Sequence, residues 1–201
     1  MDEHARWESR FANPDYVFGT GPNEFLAAQK HLLPQQGRAL AIADGEGRNG
    51  VWLAEQGLDV LAFDFSANAQ AKARSLARSR GVTLTLELLK VADYSWPAEA
   101  FDVVVDIFTQ FSSPDERAAK FAGIRRTLKS GGLLLLQGYR PEQIAYATGG
   151  PKEPEQMYTR ALLEREFGSF KQISIEESDL EMQEGLAHQG MSAVITLVGR
   201  K

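Results

Sequence analysis

The apolar run Ala39-Leu40-Ala41-Ile42-Ala43 stops in a glycine-rich turn, Asp44-Gly45-Glu46-Gly47-Arg48-Asn49-Gly50, and the chain then re-enters a helical pattern. A second apolar run, Val60-Leu61-Ala62-Phe63, ends in Asp64, fourteen residues past Gly50. No other stretch constrains the fold as much. Glycines let the backbone turn tightly and approach a ligand, because no Cβ stands in the way. The helix that follows points its free N–H groups at that ligand. A carboxylate closing the second strand can accept both hydroxyls of a ribose. The pattern implies an adenosine-containing cofactor in the crevice of a parallel sheet.

The rest of the chain agrees with that sheet. Strand candidates fall at 39–43, 58–63, 83–89, 101–107, 132–138, 170–176 and 191–199. Helical patterns at 49–56, 68–80 and 115–129 alternate with the first five, which implies right-handed crossovers and parallel strands. Two short helices, 2–12 and 22–32, precede the first strand. Helix 68–80 carries Ala69, Ala73, Leu76 and Ala77 on one stripe, small enough to lie close to the sheet. Residues 127–132 read as a helix end with a glycine C-cap. Residues 141–157 form the one long irregular stretch, and loops of that length are usually functional or mobile. The tail breaks the alternation: polar residues 177–190 join strands 170–176 and 191–199, which predicts a hairpin whose last strand is antiparallel. Its loop, carrying His188, then lies at the carboxyl edge of the sheet, where ligands of open α/β sheets bind. The fold class is α/β, a doubly wound, mostly parallel seven-stranded sheet with a C-terminal antiparallel hairpin. A chain of 201 residues suggests one domain, residues 1–201, with a helical lid segment over 1–36.

Charge decides between cofactors. Gly45, Gly47 and Gly50 match G-x-G-x-x-G, and Asp64 stands at the distance expected of a nicotinamide-dinucleotide site. Asp44 and Glu46, however, flank Gly45. Two unit charges about 4 Å apart interact at roughly 1 kcal/mol in water and several times that near a protein surface. A pyrophosphate would be repelled, whereas the sulfonium and ammonium of S-adenosylmethionine would be attracted. Arg48 is the exception, since it can serve an anion. The chain has no cysteine, so thiolate metal sites and thiol nucleophiles are excluded, and its three histidines show no ligand spacing. A formal charge of −5 argues against nucleic acid, which needs a basic face. The longest aliphatic run, Leu133–Leu136, is far too short to span a membrane. The acidic N-terminus lacks an apolar core and is not expected to be a signal peptide. A cytoplasmic monomer acting on a small molecule is the expectation.

The residues resemble a known family. Trp7-Glu8-Ser9-Arg10-Phe11, the segment from Tyr16 to Leu26, Asp44–Asn49, Phe63-Asp64-Phe65-Ser66, Phe101-Asp102-Val103-Val104 and Leu128–Gly132 are similar to class I S-adenosylmethionine-dependent methyltransferases over essentially the full chain. Within that family the likeness is to the small tellurite-resistance-type and thiopurine-type enzymes, and the turn followed by Arg48-Asn49 is fairly specific to them. The resemblance implies that Ala43, Asp44, Gly45, Gly47 and Asn49 belong to a turn facing the methionine part of the cofactor. Asp64 would hold the ribose, Phe65 would cover the adenine, Asp93 and the backbone of Tyr94 would accept from the adenine amino group, and the backbone near Ile107 would meet the ammonium. Two positions depart from the pattern: Ala41 stands where an acidic residue is usual, and Ala43 where a glycine is usual. Both point to reduced cofactor affinity. Alternatives are a cofactor-binding protein without catalysis and an NAD(P)-dependent oxidoreductase, the latter opposed by the acidic turn and the lack of a Tyr-x-x-x-Lys pair.

For catalysis the candidates are His188, Arg140 and Tyr16. A neutral imidazole at His188 can take a proton from an acceptor hydroxyl, amine or selenol. Arg140 can hold an anionic acceptor bidentately, or sit in water as a loop arginine. Tyr16 and Phe18 are expected over the cofactor. Asp106 either faces the ligand edge or caps a neighbouring backbone. Trp7 and Phe11, four apart on a helix, are expected to pack together.

Overall fold

The computed structural model describes residues 3–201; Asp2, where the first helix is expected to begin, lies outside them. The strands are β1 (Arg38–Ala41), β2 (Asp59–Asp64), β3 (Thr85–Leu88), β4 (Phe101–Ile107), β5 (Leu128–Tyr139), β6 (Gln172–Glu184) and β7 (His188–Arg200). They form one sheet in the order β3-β2-β1-β4-β5-β7-β6. Pairs β1–β2, β2–β3 and β4–β5 are parallel, and β7 is antiparallel to β5. The α-helices are α1 (Glu3–Phe11), α2 (Glu24–Ala28), α3 (Arg48–Glu55), α4 (Ala67–Ser79), α5 (Pro114–Thr127), α6 (Gln143–Tyr146) and α7 (Arg160–Phe167). The expected doubly wound sheet with its hairpin is therefore present. No helix among the described residues is long and apolar enough to cross a membrane.

The chain divides into two compact units. One runs to Tyr94 and includes Glu184–Ala187; the other holds Ser95–Gln183 and His188–Lys201. In the first unit, Leu40, Ala41, Val60, Ala62 and Phe63 are all buried, as expected of parallel strands covered on both faces. Ser66 caps α4 by accepting from the Ala69 N–H at 3.1 Å, and Ala69, Ala73, Leu76 and Ala77 form its buried stripe. Trp7 and Phe11 stack with centroids 5.4 Å apart. The expected helix over 22–32 is instead α2 plus a 3₁₀ turn, Lys30–Leu32.

In the second unit, α5 opens with a capping box between Ser113 and Glu116 and has Pro114 in its first turn. Two expectations need correcting here. The helix end is followed by a strand at once, because Leu128 is already extended. Phe101 pairs with Leu128 and Val103 with Leu133, so residues 129–132 bulge, with Gly131 at φ +77°. The hairpin is also longer than expected, and only Gly185–Ala187 remain as its turn. Residues 177–184 look like a polar loop, but Leu180, Met182 and Glu184 alternate inward while charged neighbours face out. An exposed edge strand hides its period in this way. His188 is consequently the first residue of β7 rather than a loop residue.

Candidate functional site

In the first unit, β1 ends at Ala41, and Ala43 has left the strand with φ +46°. Gly45 and Gly47 follow at +57° and +90°. A Cβ on Gly47 would lie 2.6 Å from the Cβ of Ala73, so only glycine lets α3 start against α4. A Cβ on Gly50 would lie 2.5 Å from Oδ2 of Asp44, the oxygen that accepts the Gly50 N–H at 2.9 Å. Asp64 closes β2 and is 4% exposed. Its Oδ2 accepts from the Gly45 N–H at 3.0 Å and its Oδ1 from the Ser66 N–H at 2.9 Å. The two turns that follow β1 and β2 are thus tied together by this one carboxylate.

Burial pushes the Asp44 carboxyl up to about 7, with the charge of Asp64 adding to the effect against the Gly50 hydrogen bond. Burial likewise pushes Asp64 up to about 6, and Glu8 adds to it. Two neighbouring carboxyls reluctant to ionise would be relieved by a cation and worsened by a phosphate. That donor set fits the sulfonium and ammonium of S-adenosylmethionine. The Ala43 Cβ and the slight exposure of Asp64 make the fit a close one.

The other charges of the turn face the protein. Glu46, 3% exposed, accepts the Val17 N–H at 2.8 Å and pairs with Lys72 at 2.6 Å. It does not act as a free charge toward a ligand, and the electrostatic argument rests on Asp44 and Asp64 alone. The Arg48 charge is met within the protein: it donates to Glu184 at 2.7 Å and to the Phe18 carbonyl at 3.2 Å. Asn49 accepts the Asn23 N–H at 2.9 Å through Oδ1. Glu184 takes the Asn23 side-chain amide and the Glu24 N–H, both at 2.9 Å, and the Leu186 N–H donates to the Val17 carbonyl at 2.7 Å. The Tyr16 hydroxyl donates to the Lys72 carbonyl at 3.0 Å, and its ring packs with Val51, Leu76 and Ala77. Residues 15–24 are therefore strapped down by Glu46, Arg48 and Asn49 of the glycine turn. Glu184 had no signal in the sequence, being 136 positions from Arg48.

Around the adenine candidates, the His4 ring lies 5.4 Å from the half-buried Phe65 ring. Ser66 donates through its hydroxyl to Glu8, which also accepts the Asn68 N–H at 3.1 Å. Asp93 is exposed in the 3₁₀ turn Val91–Asp93, and the buried Tyr94 stacks on Phe63 at 4.9 Å.

In the second unit, Val194 pairs with Tyr139, the last residue of β5. His188, six residues earlier, lies beyond the carboxyl end of that strand. Its ring meets Phe108 edge-on at 4.6 Å and Tyr139 at 6.0 Å, and Phe108 and Tyr139 are 4.7 Å apart. Met182 and Val194 complete the buried side of this cluster. Phe108 follows Ile107 directly and has φ +55°. Arg140 donates to the Val194 carbonyl at 3.1 Å and pairs with Asp179 and, at 3.6 Å, Glu142. Its charge is matched within the protein. Asp106 pairs with Lys120 on α5 at 3.0 Å, which is neither of the two roles expected of it. Phe108 went unnoticed in the sequence, where Ile107-Phe108 looks like a strand end.

The doubly wound sheet, the glycine turn and the carboxylate closing the second strand define the class of nucleoside-cofactor-binding α/β proteins. Residues 39–132 match the family model described as a methyltransferase domain. With 19% identity, a TM-score of 0.78 and coverage of 100% of this chain and 92% of the other, the chain is similar to a protein solved in a study of the conversion of a disulfide bond into a thioacetal group during echinomycin biosynthesis. It is also similar to an S-adenosylmethionine-dependent methyltransferase from Methanosarcina mazei (18% identity, TM-score 0.70, 90% and 98% coverage). A third similar structure is TehB from Haemophilus influenzae (17% identity, TM-score 0.67, 89% and 61% coverage). No curated protein matches the chain. The chain has the fold of the class I S-adenosylmethionine-dependent methyltransferases, and residues 39–132 match a methyltransferase domain.

Proposed function

We propose that the protein transfers the methyl group of S-adenosylmethionine to a small, largely apolar acceptor, with His188 as the base for acceptors that carry a proton. The observation that carries this reading is the His188 ring against Phe108 and Tyr139, which belong to an apolar cluster with Met182 and Val194, while the Arg140 charge is already met by Asp179 and Glu142. Such surroundings favour a neutral thiol, amine or phenol over a free oxyanion. The cofactor supplies an electrophilic methyl group on a sulfonium that is already a good leaving group. The protein's share is then to align the acceptor and exclude water. Asp64 and Asp44 serve the cofactor's ribose and cationic end, with Ala43, Gly45 and Gly47 offering the backbone and Phe65, Asp93 and Tyr94 the adenine side. Ile107 contributes its backbone.

Thermal shift tests the cofactor side. A ligand bound only to the folded state raises stability by about 2.7 kcal/mol at a hundredfold excess over Kd. S-adenosylhomocysteine should raise the melting temperature and NAD should not; the reverse result overturns the reading. On the acceptor side, neutral thiols and phenols should yield S-adenosylhomocysteine, and His188→Ala should lower that turnover about 10²–10⁴-fold. Equal turnover returns His188 to a packing role.

A further inference from the structure

Lys120 sits on α5 with 1% of its side chain exposed, and lysine is almost never buried so completely without partners. Its ammonium meets Asp106 at 3.0 Å and 3.1 Å, donates to the Tyr158 hydroxyl oxygen at 2.9 Å and reaches the Thr109 carbonyl at 3.4 Å. It also donates to the Thr109 hydroxyl, which itself donates to Asp106. Three N–H donors are thus fully engaged. Burial alone would pull the ammonium's pKa down, but Asp106 and Tyr158 outweigh it and hold it above the ordinary lysine value. A buried ion pair is often no more stabilising than an apolar pair of the same volume, so its use lies more often in specifying one geometry.

That geometry is the turn after β4. Asp106 and Thr109, both held by Lys120, bracket Ile107 and Phe108. Phe108 is bulky yet left-handed, at φ +55°, a conformation that persists only where its surroundings over-determine it. Its N–H donates to the Gln137 carbonyl at 2.8 Å. Next in the chain, Gln110 clamps Tyr139, donating to its carbonyl at 2.9 Å and accepting its N–H. The outcome of these constraints is the Phe108 ring standing edge-on to His188.

We propose that Lys120 is a positioning residue: by holding Asp106 and Thr109 it sets the left-handed Phe108, whose ring orients the His188 imidazole. The inference rests on the reading that His188 serves the acceptor, and its test is separable from that reading. The chain has three histidines, so its imidazole NMR spectrum is small, and His188→Gln identifies the signal of interest. Ring currents from Phe108 and Tyr139 displace that signal, and Phe108→Leu shows where it falls without the Phe108 ring. In Lys120→Met the signal should move toward the Phe108→Leu position, with the far-UV circular dichroism and S-adenosylhomocysteine affinity of the wild type. A folded Lys120→Met whose His188 signal stays in place overturns the proposal. Should that variant not fold, Thr109→Val removes the hydroxyl's two contacts, with Lys120 and Asp106, at nearly constant shape while keeping the Lys120–Asp106 pair, and should give a smaller move in the same direction; no move overturns the proposal equally. With a working acceptor, Lys120→Met should lower kcat about a hundredfold at unchanged KM for S-adenosylmethionine, and a raised cofactor KM instead overturns it. If the wild type fails to bind S-adenosylhomocysteine, the methyl-transfer reading falls, while the NMR result still decides the role of Lys120.

Discussion

Ala43 holds a backbone angle that suits glycine. A left-handed alanine is strained by about 1–2 kcal/mol, while a glycine there gives back about 0.4–1 kcal/mol through the entropy of the unfolded chain. Ala43→Gly should therefore stabilise the protein by roughly 0.5–1 kcal/mol in urea unfolding; a loss of stability would mean that the turn bears no strain. Asp64 invites a different experiment. Because it accepts the Gly45 and Ser66 N–H groups while buried, Asp64→Ala should cost about 1–3 kcal/mol of stability. It should also weaken S-adenosylhomocysteine binding roughly ten- to a hundredfold, as calorimetric titration would show. Asp44 and Asp64 also carry a pH dependence. Both hold protons more tightly in the fold than in the unfolded chain, their pKa values rising from the ordinary 3.8 to about 7 and about 6. Between those limits the folded state binds more protons, so their contribution to stability falls as pH rises. Asp44→Asn should flatten that fall, measured as the urea midpoint from pH 4 to 7. A variant whose slope equals that of the wild type would show that Asp44 ionises normally.

Strands and helices in this chain are joined by side chains more than their sequences suggest. The buried pair of Arg48 on α3 and Glu184 at the end of β6, with exposures of 8% and 6%, ties the glycine turn to a hairpin turn of the same unit. Removing one partner leaves the other charge buried and unpaired, so Arg48→Met should cost about 3–5 kcal/mol. Arg48→Met with Glu184→Gln should recover part of that, since no charge is left stranded and the amide oxygen still accepts from the Asn23 side chain and the Glu24 N–H. Denaturation of the four species in a double-mutant cycle checks this; a double variant as unstable as the sum of the singles would mean that the two side chains act separately. The strap also says why Arg48-Asn49 looks like a signature: those side chains secure residues 15–24 as much as any ligand.

Seen across all of its strands, the protein keeps its candidate residues at the carboxyl ends: Ala43, Asp44 and Asp64 after β1 and β2, Phe108 after β4, Tyr139 at the end of β5. Open α/β sheets bind ligands at that edge, where strands release the chain into turns free to vary. Hydrogen exchange should show it. S-adenosylhomocysteine is expected to slow exchange over 43–49 and 64–66 and leave α7 unchanged. Protection confined to α7 would put the cofactor elsewhere.

Periodicity and turn chemistry act over a few residues, and what depends on them was legible before any coordinates. The buried runs of β1, β2 and β4, the glycine turn, the stripe of α4 and the antiparallel last strand all follow from spacing along the chain. Edge strand β6 was legible only in part, because its outward charges mask the alternation of Leu180, Met182 and Glu184. The roles of Glu46, Arg48, Asp106 and Arg140 were not legible. Each charge is settled by a partner on another element, Lys72, Glu184, Lys120 and Asp179 in turn, and no local rule pairs residues so far apart. Local sequence chose the strands and turns; which charges remain for a ligand was decided by the packing that buries them, since a charge out of water must find its counterpart wherever the fold brings one near.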